Sequence, residues 1–151
     1  MNLIGLRFFT VYGPWTRPDM ASYIFMKAIE EGKSISLFNE GKMIRDFTFV
    51  ADVVKSITLL IEKIRLEESP KNRIFNIGNH QPIFTIDFLK SIENAMNKKA
   101  VVNFQPIQPG DMLSTNASCE SLYDYIRFKP QTPVDVGVRE MVEWFKEFAN
   151  K

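Results

Sequence analysis

A chain of 151 residues, of which 45% are hydrophobic and 25% charged, has the composition of a globular protein with a buried core, which excludes a disordered or fibrous chain. The formal net charge of +1 provides no broad electrostatic field, so we expect neither nucleic acid nor a membrane as a partner. A single cysteine, no apolar run of about 20 residues and no basic leader lead us to expect a cytoplasmic location.

The first predicted element is a strand over residues 3–11, where apolar residues form a nearly continuous run. Such runs are typical of strands that are buried on both faces of a parallel sheet. Almost nothing precedes this strand in the chain. We therefore expect an orphan strand ahead of one compact α/β body.

Strands and helices alternate along the rest of the chain, after a loop rich in proline and glycine. Helical spacing of apolar residues predicts helices over residues 21–31, 52–64, 86–97, 120–125 and 134–149. Short apolar runs predict strands over residues 34–38, 45–50, 74–77 and 101–104. Gly32 is placed to end the first helix, and residues 39–41, 65–73 and 106–112 are predicted to be loops.

Several kinds of catalytic chemistry are missing from the sequence. No two glycines have the close spacing of a phosphate-binding loop, so there is neither a dinucleotide fingerprint nor a Walker-type loop. We interpret His80 as a solvated turn residue and Cys119 as a small core residue. No cluster of ligands predicts a metal site. We therefore assign no catalytic residue and no metal.

The spacing Tyr-x-x-x-Lys, used by short-chain dehydrogenases, occurs twice: at Tyr23 and Lys27, and at Tyr125 and Lys129. Two occurrences in one short chain indicate coincidence. Neither follows a glycine-rich cofactor loop. We interpret both pairs as structural.

Residue types that bind anions and nucleosides stand at predicted loops and strand ends. Arg45 has the planar fork that suits phosphate oxygens, and Phe38 could stack on a base. Asp111 could accept hydrogen bonds from two ribose hydroxyls, and Arg17 is a second isolated cation. Each has a structural alternative: Arg45 with Asp46 as a surface pair, Phe38 as core, Asp111 as a turn former. Taken one at a time, these alternatives are favoured.

Taken together and in order, five stretches resemble the carboxy-terminal half of an extended short-chain dehydrogenase/reductase. They are similar above all to nucleotide-sugar 4-epimerases, and most closely to UDP-glucuronate 4-epimerases. The stretches are "LRFFTVYGPWTRPDM", "KAIEEGKSISLFNEGKMIRDFTFVADVV", "RIFNIGNHQPI", "QPGDMLSTNA" and "FKPQTPVDVGVREMVEWF".

The resemblance implies an α/β fold: the small substrate-binding lobe of such an enzyme, with one or more strands left over from a missing Rossmann sheet. Residues 1–12 would be the residual strand of the cofactor-binding domain, and residues 13–151 the nucleotide-sugar-binding domain. The full-length family uses NAD. We expect no NAD to bind this chain alone, because the glycine loop and the catalytic Tyr and Lys are absent. A separate cofactor-binding half is an implied partner.

The resemblance also implies roles for individual residues. Arg45 matches the arginine that holds the diphosphate, and Phe38 the aromatic position against uracil. Gln108 and Asp111 match the loop at the ribose and diphosphate. The remaining matches are Thr10 and Arg17 near the sugar, and Phe8 and Phe9 at the nicotinamide end. Because a neutral hexose gives Arg17 no charge to pair with, Arg17 favours an acidic sugar.

The sequence departs from the family pattern at several structural positions. Thr16 and Arg127 stand where the family usually has glycine, and Ala51 stands where it has aspartate. Three functions remain open: part of a UDP-glucuronate 4-epimerase, inactive alone; a non-catalytic binding module from a split or truncated gene; or part of a related dehydratase or decarboxylase.

Overall fold

A computed structural model describes residues 3–67 and 72–149. The helices are α1 (Ala21–Glu31), α2 (Val50–Arg65), α3 (Thr85–Met96), α4 (Glu120–Ile126) and α5 (Val134–Ala149). The strands are β1 (Leu3–Phe8), β2 (Thr10–Tyr12), β3 (Ser34–Phe38), β4 (Ile44–Arg45), β5 (Phe47–Phe49), β6 (Asn72–Ile77), β7 (Ile83–Phe84) and β8 (Val101–Gln105). The mixed α/β class expected from the sequence is confirmed. Within the described ranges, every helix is too short or too polar to cross a bilayer.

The strands pair two by two rather than in one broad sheet. β1 runs parallel to β6, with Leu3 opposite Asn72 and Phe8 opposite Ile77, so the expectation of an orphan first strand is wrong. β2 pairs with β5, and β3 with β8, also in parallel. β4 and β7 form a short antiparallel pair.

The predicted strand over residues 3–11 is divided at Phe9, which corrects the expectation of one continuous strand. The amide of Phe9 donates to the carbonyl of Ile77 (3.2 Å), whereas the amide of Thr10 donates to the carbonyl of Asp46 (3.1 Å). The chain thus changes partner from β6 to β5 at this point. The carboxyl end of β1 stays at the surface, and β2 carries the chain into the core, where Tyr12 is buried.

The predicted strand over residues 45–50 is also wrong as a single element. Asp46 separates β4 from β5, and Val50 already belongs to α2. The predicted loop over residues 65–73 is shorter, because α2 includes Arg65 and β6 begins at Asn72. Residues 68–71 lie outside the described residues.

Two hydrophobic clusters hold the elements together. The larger lies among α1, α3, α5 and the paired strands; in it the rings of Phe47 and Phe88 stack 3.9 Å apart, and Tyr12 meets Phe88 edge-on. The smaller packs α2 and α4 on the β1–β6 pair through Phe75, Ile77 and neighbouring residues. Cys119 is buried beside these elements, as predicted.

Three helices end at a residue in the left-handed conformation: Gly32, Asn97 and Arg127. α1 ends at Gly32 in the left-handed conformation (φ 65°), as the sequence predicts. α4 ends at Arg127 with φ 56°, a conformation that favours glycine because a Cβ crowds the backbone there. This conformation explains why glycine is the residue expected from the family pattern at position 127.

We expect Arg127→Gly to raise the free energy of unfolding by about 0.5–1 kcal/mol, because it relieves the left-handed strain. The side-chain pair that it removes, Arg127 with Asp124, is largely exposed and contributes little. Urea unfolding followed by circular dichroism measures the change. Arg139→Gly in the interior of α5 is the matched control and should lower the free energy by about 1 kcal/mol. Destabilisation by both variants would contradict the conformational account.

Candidate functional site

A cleft of about 350 Å³ opens between the start of α1, the end of β3, β4 and the loop over residues 106–113. This volume lies within the range of small-molecule sites in proteins. Its lining, called here the main cleft, includes four of the residues singled out from the sequence: Thr10, Phe38, Arg45 and Asp111. Residues separated by a hundred positions in the chain thus meet at one concave surface.

Arg45 is half-buried, and its side chain is held by two carbonyl groups. Its Nη1 donates to the carbonyl oxygens of Ile44 (2.9 Å) and Met112 (2.6 Å). The other N–H groups of the guanidinium donate to no residue within ranges 3–67 and 72–149. The fork is therefore oriented by the protein while donors stay available to an anion in the cleft.

Asp46, next to Arg45, is completely buried and does not pair with it. Its carboxylate accepts from three backbone amides: those of Asn79 (2.8 Å), His80 (3.1 Å) and Ala117 (3.0 Å). The surface-pair alternative for Arg45 and Asp46 is therefore wrong. Because successive side chains of an extended chain point to opposite sides, the bonds of Asp46 place Arg45 on the cleft side.

The loop over residues 106–113 contributes Asp111, but not Gln108, to the lining of the main cleft. The amide of Asp111 donates to the carbonyl of Gln108 (3.1 Å), and Gly110 between them has φ 90°. Pro109 followed by a glycine of positive φ is the signature of a type II turn. Asp111 is thus both a turn residue and a cleft residue, whereas Gln108 does not line the cleft.

The start of α1 forms one wall of the main cleft through Asp19, Ala21 and Ile24. The helix has neither a side-chain cap nor an acidic residue in its first turn. The carboxylate of Asp19, two residues before the helix, lies in the same wall. Asp19 was not predicted from the sequence.

Arg17 lies in a second cleft, which residues 9, 11–17, 20 and 50 line. Its Nε and Nη2 donate to the two carboxylate oxygens of Asp19 at 3.1 and 2.9 Å. Phe9 is in this second cleft as well, and Phe8 is half-exposed at the end of β1. The two predicted sugar-side residues, Thr10 and Arg17, thus line neighbouring clefts rather than the same one.

Cys119 and His80 both contact backbone carbonyl groups. Burial raises the pKa of the Cys119 thiol, which donates to the carbonyl of Gly78 at 3.4 Å and is a poor nucleophile. His80 is exposed, and its Nδ1 lies 2.9 Å from the carbonyl oxygen of Ala117. The described ranges contain no cluster that could hold a metal ion.

The two tyrosines of the Tyr-x-x-x-Lys pairs have packing roles. Tyr23 packs edge-on against Phe145, with ring centroids 5.7 Å apart. Tyr125 donates to Glu67 at 2.8 Å, and burial together with this hydrogen bond raises its pKa. Tyr125 therefore does not resemble a phenol made acidic by a neighbouring lysine.

Comparisons of sequence and of structure both find proteins of the NAD dependent epimerase/dehydratase family or nucleotide-sugar 4-epimerases. The sequence profile of the NAD dependent epimerase/dehydratase family matches residues 1–78. A probable UDP-glucuronate 4-epimerase of Rhizobium meliloti is 39% identical over 95% of this chain and 46% of its own length. The UDP-glucuronic acid 4-epimerase of Bacillus cereus, solved with UDP-glucuronic acid and NAD, is 29% identical with a TM-score of 0.82, over 94% of this chain and 44% of its own.

MoeE5, solved with UDP-glucuronic acid and NAD, superposes with a TM-score of 0.86 at 26% identity, over 97% of this chain and 48% of its own. A second structure of MoeE5 holds UDP-glucose and NAD. The chain thus spans about half the length of the relatives that it matches.

We expect Asp46→Asn to lower the free energy of unfolding by about 2–3 kcal/mol, because an amide nitrogen would face buried N–H donors that now meet a carboxylate oxygen. Urea unfolding measures the loss. The same substitution at exposed Asp124 is the control and should change stability by less than about 0.5 kcal/mol. Equal effects at both positions would show that the buried bonds do not hold the site together.

Proposed function

The chain belongs to the NAD dependent epimerase/dehydratase family, and we propose that its main cleft is the site that grips a uridine diphosphate sugar for a 4-epimerase of the UDP-glucuronate type. The observation that carries the proposal is that four side chains from distant parts of the sequence line the same cleft. A guanidinium fork, an aromatic ring at a strand end, a carboxylate and a hydroxyl line one cleft. Each has a chemical counterpart in a nucleoside diphosphate sugar.

The diphosphate would be held by Arg45. Its guanidinium is oriented by the carbonyls of Ile44 and Met112 and retains donors for phosphate oxygens. Arginine suits this role better than lysine because its planar fork binds two oxygens at once.

The uridine would lie between Phe38 and the loop over residues 106–113. An aromatic ring at the end of β3 can stack on uracil, and base stacking contributes about 1–3 kcal/mol. The carboxylate of Asp111 can accept from the two neighbouring hydroxyls of the ribose. Gln108, which lies outside the cleft lining, is exposed at the start of the same turn, and we keep the ribose as its proposed contact.

The sugar would extend from the diphosphate toward Thr10 and Arg17, at the junction of the two clefts. The solved relatives bind either an acidic or a neutral sugar, since MoeE5 is described with UDP-glucuronic acid and with UDP-glucose. A hexuronate would gain from the guanidinium of Arg17. Interconversion of UDP-glucuronate and UDP-galacturonate is the reaction that we propose for the complete enzyme.

A cofactor-binding half would complete the site at the free side of β1. Among the residues that the structure describes, this strand pairs with β6 alone, and Leu3 and Ile74 on one face of the pair are 56% and 60% exposed. The unpaired edge of β1 could accept a further strand of a parallel sheet, and the exposed apolar side chains on this face could be covered by another domain. Phe8 and Phe9 at the carboxyl end of β1 would then lie at the nicotinamide end of NAD.

The residues of this chain do not by themselves fit NAD. Its glycines form no dinucleotide-binding loop, so nothing here would cradle the pyrophosphate of the cofactor. We therefore derive no hydride step from this chain. The function that we propose for this chain is to bind and orient the sugar nucleotide.

Replacement of Arg45 tests the diphosphate assignment. We expect Arg45→Lys to weaken UDP binding about tenfold or more while uridine binding changes less than twofold, because only the fork to the phosphates is lost. Titration calorimetry of both ligands measures the effect. Arg139→Lys on exposed α5 is the matched control. Unchanged affinity for UDP in Arg45→Lys would refute the assignment, and no binding of UDP by the unaltered chain would refute the proposed function.

We expect the 151-residue chain with added NAD to leave UDP-glucuronate unconverted. The sequence has no dinucleotide-binding glycine loop, and both Tyr-x-x-x-Lys tyrosines pack against the lobe. Chromatographic separation of the two UDP-uronates after incubation measures conversion, with UDP binding verified in the same sample. Binding without conversion supports the proposal and leaves the non-catalytic module open. Steady turnover without a second polypeptide would contradict it.

A further inference from the structure

The ion pair between Arg17 and Asp19 lies at the junction of the two clefts. Arg17 belongs to the lining of the second cleft, and Asp19 to that of the main cleft beside Thr10. Two parallel hydrogen bonds join them: Nε to Oδ1 at 3.1 Å and Nη2 to Oδ2 at 2.9 Å. This is the geometry in which a guanidinium also binds the carboxylate of a ligand.

The local sequence holds the pair in place. The amide of Met20 donates to the carbonyl of Arg17 at 3.1 Å and closes a turn across Pro18 and Asp19. Proline at the second position is favoured in such turns. A hydrogen bond of 2.9 Å between the hydroxyls of Thr16 and Ser22 anchors the same loop to α1. The backbone therefore brings the two side chains together.

The ion pair neutralises the positive charge of Arg17. Asp19 already occupies the face of Arg17 that would receive a carboxylate, so the positive charge at the sugar end is balanced. This inference rests on the proposed function. We propose that Asp19 competes with the carboxylate of the ligand for Arg17, and that it thereby reduces the preference of the site for acidic over neutral sugars. An acidic sugar must displace Asp19, whereas a neutral sugar need not.

Displacement is possible because the pair is exposed. The side chains of Arg17 and Asp19 are 74% and 67% accessible. Exposed ion pairs contribute little in water, so an incoming carboxylate can exchange with Asp19 at small cost. The competition should therefore change the ratio of affinities by about two- to fivefold and should not abolish binding.

The experiment compares UDP-glucuronate with UDP-glucose by titration calorimetry at 0.15 M salt, with UDP as the common reference. Asp19→Asn should increase the ratio of the two affinities, in favour of the acidic sugar, about two- to fivefold. In an Arg17→Gln background the same substitution should leave the ratio unchanged, because no guanidinium is left to compete for. Asp124→Asn, in a similarly exposed pair on α4, is the control and should not alter the ratio.

The outcomes separate this inference from the proposed function. If the unaltered chain binds UDP but Asp19→Asn leaves the ratio unchanged or lowers it, Asp19 does not compete for Arg17. If the ratio rises equally in the Arg17→Gln background, a general charge effect replaces competition and the inference is again overturned. Failure of every protein to bind UDP would overturn the proposed function and this inference together.

Discussion

The structure depends on the hydrogen bonds of one buried carboxylate. Asp46 joins segments distant in sequence, because its side chain accepts from the amides of residues 79, 80 and 117, while its carbonyl accepts from Thr10. Three segments of backbone, at residues 10, 79–80 and 117, are thereby fixed around the residue between β4 and β5. An uncompensated carboxylate in this position would be costly, so the amides must stay in place. The position of Arg45 at the cleft follows from that constraint.

Elements controlled by local sequence could be predicted, and those controlled by distant pairing could not. α1, β3 and α5 match the predicted bounds because apolar periodicity and a terminal glycine at residue 32 are local signals. The division of residues 3–11 at Phe9 depends on β5 and β6, which are remote in the chain. β7 was missed because Ile83–Phe84 is a two-residue strand defined only by its partner β4.

In the candidate site, too, the sequence indicates individual residues but not their contacts with distant residues. Residue types and family resemblance singled out positions, and the fold brings Thr10, Phe38, Arg45 and Asp111 to one cleft. Neither source could show which groups are already occupied. Arg17 is engaged by Asp19, a residue that carried no signal beyond its turn-forming context. Charge at a single position is thus a weak guide to ligand charge when the counterion lies two residues away.

The most direct test of the central claim is a crystal structure of this chain grown with UDP-glucuronate. The account predicts diphosphate oxygens within hydrogen-bonding distance of the Arg45 guanidinium, and uracil stacked on Phe38. Asp46 should keep its three backbone amides in that complex. A nucleotide located elsewhere, for example in the pocket lined by His80 and Tyr123, would contradict the account.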